Sequence, residues 1–205
     1  MPYRLFIGLL ISFFTGTVMA IEQPKYTVIE KSDAFELRTY SAQIIAETIV
    51  SGSLDEASSA GFKLIADYIF GNNTSATGDN QQITMTAPVT IAPKSEKISM
   101  TSSVTIEQTG EQWRLHFVMP SQYSLASLPK PNNPAVTLQE VPASNYAVIR
   151  FSGFAGEEKT ATKTVELMTW LTSKGIKPAG KPELARYNPP WTLPFLRRNE
   201  VMITY

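Results

Sequence analysis

The feature that most restricts the fold is an internal repeat. Sliding the chain by 101 residues places Ala46 on Ala147, Ile49 on Arg150 and Gly52 on Gly153. The order strand, strand, glycine, helix, glycine occurs in both halves. In the first, Tyr26 to Lys31, Phe35 to Tyr40 and Ile44 to Val50 alternate or are rich in β-branched residues, with a turn at Lys31 to Ala34. At Ser53 the period changes. Ser53 and Glu56 form a capping-box pair, and Ala57, Gly61, Leu64, Ile65 and Tyr68 recur at helical spacing up to Phe70, with Phe62 and Ile69 on the flank. In the second half, strands at Val136 to Val141 and Tyr146 to Phe151 precede a helix from Glu157 to Lys174, which Gly175 stops. Two such units predict one α+β domain with pseudo-twofold symmetry; a solenoid needs three or more repeats.

Between the halves, Asn72 to Gln82 is polar and reads as a mobile surface loop. Ile83 to Ile91 and Ile98 to Glu107 read as extended, with Pro88 marking an edge, bulge or break in the first. Met85 and Met100 read as flexible apolar fillers. After a turn at Thr109 to Glu111, Trp113, Leu115, Phe117 and Met119 alternate with Arg114, His116 and Val118. The connection Pro120 to Pro134 is proline-rich.

Residues 1 to 20 read as a cleaved secretory signal: Arg4, then the apolar run Leu5 to Phe14, then small residues ending at Ala20. That run is too short to span a bilayer, and the mature chain offers no longer one. Removing Arg4 turns 18 basic and 18 acidic residues into one excess negative charge, which argues against a nucleic-acid partner. A periplasmic or secreted location follows from the signal. The chain has no cysteine, so disulfides, thiolate catalysis and cysteine-ligated metals are excluded. Its one histidine, His116, excludes any site that needs two. Oligomeric state is not legible.

The closing stretch, Ala185 to Ile203, is too specific to be a linker. Prolines 189, 190 and 194 stiffen it and fix Trp191 and Phe195 in place. Arg197 and Arg198 stand beside Glu200. A rigid loop with aromatics and guanidinium groups suits an amphipathic, anionic ligand. It also suits a structural closure, the commoner role for such clusters, in which Arg198 or Arg197 pairs with Glu200 and Trp191 plugs the core.

Three stretches resemble the SOUL or haem-binding-protein family: Met85-Thr-Ala-Pro-Val89, Phe117-Val-Met-Pro120, and Ala185-Arg-Tyr-Asn-Pro-Pro190 with Arg197-Arg-Asn-Glu200. The likeness extends over Ile21 to Tyr205. It implies a distorted antiparallel β-barrel built from two pseudo-symmetric repeats, each with one packed α-helix. It also implies non-enzymatic binding of haem or another tetrapyrrole in a shallow apolar groove, as carrier or buffer. The matching positions are Phe62 and Lys63 on the first helix with Trp191, Phe195, Arg197 and Arg198 on the final loop. Apolar faces would hold the macrocycle, and cations such as Lys63 and one arginine would meet its propionates. Histidine ligates iron in proposals for some members, which makes His116 an axial-ligand candidate. A solvated or hydrogen-bonded His116 is the simpler expectation, with the ligand held by apolar contact.

Two other functions are consistent with the residues. Glu47, on a face with Ile45 and Ile49, is a candidate carboxylate for an enzyme acting on a small amphipathic molecule; the plainer reading is a solvated surface glutamate. Ser127 to Pro134 offers a protein-interaction segment; the plainer reading is a connector between halves.

Overall fold

The computed structural model describes residues 21–94 and 112–205. The proposed signal segment, the strand Ile98 to Glu107 with Met100, and the turn Thr109 to Glu111 lie outside these residues. Among the described residues there are eleven strands and two long helices, three of the strands lying where none was predicted. The first elements are β1 (Tyr26–Ser32), β2 (Phe35–Tyr40), β3 (Gln43–Ser51), α1 (Leu54–Ile69), β4 (Asn73–Thr74), β5 (Val89–Pro93) and β6 (Gln112–Val118). The second half supplies β7 (Lys130–Pro131), β8 (Thr137–Val141), β9 (Ser144–Phe151), α2 (Glu157–Ser173), β10 (Glu183–Arg186) and β11 (Asn199–Thr204). No helix of the described residues is long and apolar enough to cross a membrane.

Nine strands form one curled antiparallel sheet in the order β1-β2-β9-β11-β10-β5-β6-β3-β8, a half-barrel whose end strands do not pair. The repeat is visible in this order. The pairing β10-β5 lies at the pseudo-twofold axis, and β5-β6-β3 on one side mirrors β10-β11-β9 on the other. Each half then takes its outer strand from the other repeat: β8 pairs with β3, and β2 pairs with β9. This exchange makes the halves one domain. Gly52 and Gly153 end equivalent strands with φ of 121° and 94°, a backbone region that disfavours side chains.

Side-chain alternation sorts the sheet into two faces. The convex face is apolar and is covered by the helices. α1 packs on β3 and β6, burying Ala57, Ile65, Leu115 and Phe117 in one cluster. α2 packs on β9 and β11, burying Ala147, Ile149, Leu167, Leu171 and Val201 in another. Full burial of each larger aliphatic or aromatic side chain contributes about 1.5–3 kcal/mol. The predicted capping box forms, with Ser53 Oγ and the Glu56 carboxylate each accepting from the other's backbone amide. A further donor at the start of α1, Leu54 N–H, donates to Glu157 of α2 at 3.1 Å, tying the helix starts together.

Two loop expectations change. Residues 72–82 are anchored by the fully buried Asn73, whose amide donates to the carbonyls of Tyr68 and Gln81 at 2.7 Å each. A polar sequence was thus pinned by one interior amide. Of the extended run Ile83 to Ile91, only the part from Val89 onward is strand, because Pro88 brings no amide donor to the ladder. Met85 packs against the first cluster as a filler. The connector between halves is held down as well: Leu128 is buried, and the Tyr68 hydroxyl donates to the Pro129 carbonyl at 3.0 Å.

Helix α1 lies tight against the sheet at Gly61, where an added Cβ would lie 3.0 Å from Leu115 Cβ. Gly61→Ala is expected to lower unfolding free energy in urea by about 1–3 kcal/mol, an overpacking cost. Gly156→Ala, at a helix start with open space around it, is expected to change it by only a few tenths of a kcal/mol.

Candidate functional site

The closing stretch is a hairpin loop between β10 and β11. Gly153 N–H donates to the Pro194 carbonyl at 2.8 Å and Asn199 Nδ2 donates to the Gly153 carbonyl at 2.9 Å, so the loop is fixed beside the end of β9. Its prolines carry a short 3-10 turn, Pro194–Leu196, that leaves the apolar side chains in solvent. Trp191 is 82% exposed and Phe195 71%, and Leu193 and Leu196 are exposed too. Trp191 therefore does not plug the core. With the core already closed by the helices, the loop has no interior to fill.

The two loop arginines have different partners. Arg197 Nε donates to the Thr192 carbonyl at 2.8 Å, its Nη2 donates to that of Pro190, and its guanidinium stacks 4.9 Å from the Phe154 ring centroid. It holds the loop's own backbone. Arg198 turns the other way and donates from Nε and Nη2 to Glu200 Oε1 at 2.9 and 2.8 Å. Glu200 thus holds one arginine, as the sequence suggested.

The sequence did not reveal that Glu200 also holds Arg38. Arg38 Nη1 and Nη2 donate to Glu200 Oε2 and Oε1 at 2.8 and 3.0 Å, and its Nε donates to Glu36 Oε2 at 2.7 Å. Tyr187 Oη adds a donor to Glu200 Oε2 at 2.7 Å. The Arg38 guanidinium lies 4.2 Å from the Tyr26 ring centroid, and that of Arg198 lies 3.8 Å from that of Tyr187. Arg38 and Glu200 are both fully buried on the concave face. Burial opposes ionisation of Glu200, but the hydrogen bonds and charge of Arg38, then Arg198 and Tyr187, outweigh it and hold the carboxyl below its usual range.

On α1, Phe62 is partly exposed with its ring 5.7 Å from that of Phe117, and Lys63 is exposed with no ion pair among the described residues. Arg186 joins α1 to the strand that leads into the final loop: it donates to Ser58 Oγ at 3.0 Å, Asp55 Oδ1 at 3.1 Å and the Ala155 carbonyl at 2.7 Å. Phe195 and Arg197 line an open groove of about 540 Å³ with Lys31, Glu36 and Arg150. Phe62, Lys63, Trp191 and Arg198 line neither that groove nor the two other principal cavities.

His116 lies on the concave face, opposite Leu115 and Phe117, so the sheet separates it from Phe62. The ring is enclosed except where its edge lines a small cavity, and Nδ1 has no hydrogen-bond partner among the described residues. A hydrogen-bonded histidine does not form among the described residues; the half-buried ring turns its accessible side to the cavity. Burial, with a smaller push from Arg114, lowers its pKa to about 3 and keeps the imidazole neutral. Glu47 is not a solvated surface residue either. It sits across from His116 on the same face, its side chain 17% exposed, with Oε2 3.6 Å from Arg114 Nη1. Among the described residues no cluster of three or more His, Cys, Asp or Glu side chains is placed to hold a metal ion.

The concave face generates two stability predictions. Glu200→Ala, which leaves the buried Arg38 with Glu36 as its one carboxylate partner and strips Arg198 of its own, is expected to cost about 3–5 kcal/mol, measured by urea unfolding at pH 7. For His116 the folded pKa is depressed, so between about pH 3 and about 6.5 the unfolded chain binds a proton that the folded chain refuses. Stability from this group is complete above the unfolded value and declines as pH falls, by about 1.4 kcal/mol per unit. Glu183 works oppositely, since burial, partly offset by Arg114, raises its carboxyl pKa. The difference between the chain and His116→Gln, followed from pH 7 to 5, should isolate a histidine contribution of about 2 kcal/mol.

No curated protein matches the chain in sequence. Among solved structures it resembles the EcmrR C-terminal domain, with a TM-score of 0.58 at 12% identity, covering 87% of this chain and 96% of that one. It also resembles a hydrolase from Listeria innocua, with a TM-score of 0.54 at 9% identity, covering 85% and 93%. An uncharacterized conserved protein from Listeria innocua gives 0.56 at 9% identity over 82% and 90%. At such identities the likeness concerns the fold. The family model described as SOUL heme-binding protein matches residues 21–204. With that match over nearly its whole described length, the chain belongs to the SOUL heme-binding protein family.

Proposed function

We propose that this protein is a non-enzymatic carrier or buffer of haem or a related tetrapyrrole, exported after cleavage near Ala20. The observation that carries the reading is the final loop. It presents Trp191, Leu193, Phe195 and Leu196 to solvent on a backbone stiffened by proline and tied to Gly153. Apolar side chains exposed singly need no explanation, but a rigid cluster of four marks a contact surface. A porphyrin face supplies the flat apolar partner that such a cluster lacks.

Phe62 and Lys63 on α1 complete the surface in this reading, Lys63 being an exposed cation suited to a propionate. The roles of the arginines differ. Arg197 supports the loop that carries the aromatics, and Arg198 serves Glu200 more than any ligand. His116, behind the sheet, takes no part, so attachment rests on apolar contact and propionate pairing. That mode of binding suits reversible carriage and supplies no acid, base or nucleophile to the macrocycle.

Haem titrated into the protein is expected to give a saturable Soret change at micromolar concentration. Trp191→Ser with Phe195→Ser should weaken it by about ten-fold or more, the equivalent of at least ~1.4 kcal/mol, without loss of stability because both side chains are exposed. His116→Gln should leave the Soret spectrum unaltered. An absent or non-saturable Soret change would sink the proposal.

A further inference from the structure

The centre of the concave face holds a group of side chains for which tetrapyrrole binding has no use. Glu47 on β3 faces His116 on β6, and His116 faces Thr90 on β5. Arg114, two residues along β6, donates from Nη2 to Glu183 Oε1 at 2.6 Å and has Nη1 3.6 Å from Glu47 Oε2. One guanidinium therefore serves two carboxylates. Glu47 Oε2 and His116 Nδ1 are both enclosed and both lack a hydrogen-bond partner among the described residues. Enclosed polar atoms are nearly always satisfied in a folded protein, so two on one cross-strand pair indicate a missing partner.

The space for that partner is present. A cavity of about 70 Å³ lies against His116, Arg114 and Glu183, with room for a few heavy atoms. It shares Pro24, Ser41, Gln43 and Val118 with a second cavity of about 420 Å³, whose further walls include Ile44, Met119 and Tyr123. Together they make one trough with a small polar end and a longer, mainly apolar one. Tyr40, Tyr146 and Tyr187 border the polar end.

The sign of the charge selects the ligand. Two carboxylates, Glu183 in the lining of the polar end and Glu47 just beyond it, stand against the one guanidinium of Arg114, a formal surplus of one carboxylate. An anionic head would meet this surplus; a protonated amine would neutralise it. Its several N–H donors also match the acceptors on offer, which are carboxylate oxygens and the unprotonated nitrogen of a neutral imidazole. We propose that the trough binds small amphipathic amines, the ammonium head beside Glu183 and His116 and the apolar body along Ile44, Met119 and Tyr123. The ammonium head is on the opposite face of the sheet from Phe62, while the apolar body reaches the edge of the helix-side cluster that Ile44, Met119 and Tyr123 join.

His116 is the chain's one histidine, so its ring protons give a single set of resonances at the head of the trough. Titration with octylammonium chloride is expected to shift them saturably at millimolar concentration, while sodium octanoate leaves them in place. Glu183→Gln should weaken octylammonium binding about ten-fold or more, the loss of one charge-assisted contact. Should that variant fail to fold, Glu47→Gln keeps the Arg114–Glu183 pair and should weaken binding in the same direction. Resonances that stay still with octylammonium, that move equally with octanoate, or that titrate unchanged in the folded variants would overturn the proposal. A protein that shows no Soret change with haem can still pass this test, so the two readings fail separately.

Discussion

The carboxylate of Glu200 is the interaction on which the rest of this structure depends. It accepts from Arg38, Arg198 and Tyr187 at once, and these come from β2, the end of the final loop and the start of that loop. Arg38 and Glu200 stand on strands separated in the sheet by β9, so their pair spans a strand instead of linking neighbours. Backbone ladders hold adjacent strands together but leave curvature soft. A buried ion pair across the concave face fixes how tightly the sheet curls. Such a pair returns little net stability against a packed apolar alternative, because both charges lose their water. Its contribution here is geometric: it ties β1, β2, β11 and the loop to one curvature.

The curl in turn divides the molecule's tasks. The convex face is apolar and already covered by α1 and α2, which supply the burial that a chain without disulfides requires. The concave face is polar, enclosed by curvature instead of by a packed layer, and keeps its charges at close range. For the proposed tetrapyrrole, what remains is the rim. The final loop extends beyond the core, displays its aromatics, and is positioned from below by Arg198 and Glu200. In the proposed reading the loop is both architecture and contact surface, and the two roles fall on different residues: Asn188, Pro194, Arg197 and Arg198 brace it, while Trp191, Leu193, Phe195 and Leu196 face outward.

Much of the fold was legible in the residues. The offset repeat, the period-two runs and the Ser53–Glu56 capping box specify strands and helices through local backbone chemistry, and among the described residues they are found where the pattern places them, except over residues 83–88. The misreadings have one cause. Glu36, Arg38 and Tyr40 alternate with Phe35 and Leu37 as they would on a half-exposed strand, and nothing local distinguishes a solvated polar face from one curled inward. His116 and Glu47 belong to the same ambiguity. Asn73 shows it in a loop, where a polar segment looks mobile until one amide finds interior partners.

By itself, then, the sequence determined the elements, their two-fold arrangement, the family, and the stiff aromatic loop, because proline geometry, capping and alternation act over a few residues. Tertiary structure alone decided which polar face is interior, that Arg38 is the main partner of Glu200, that Trp191 projects into solvent, and that His116 and Glu47 meet across β3 and β6. The physical reason is distance along the chain. Arg38 and Glu200 are 162 residues apart, and only closing the exchanged halves around a common axis brings them within hydrogen-bond reach.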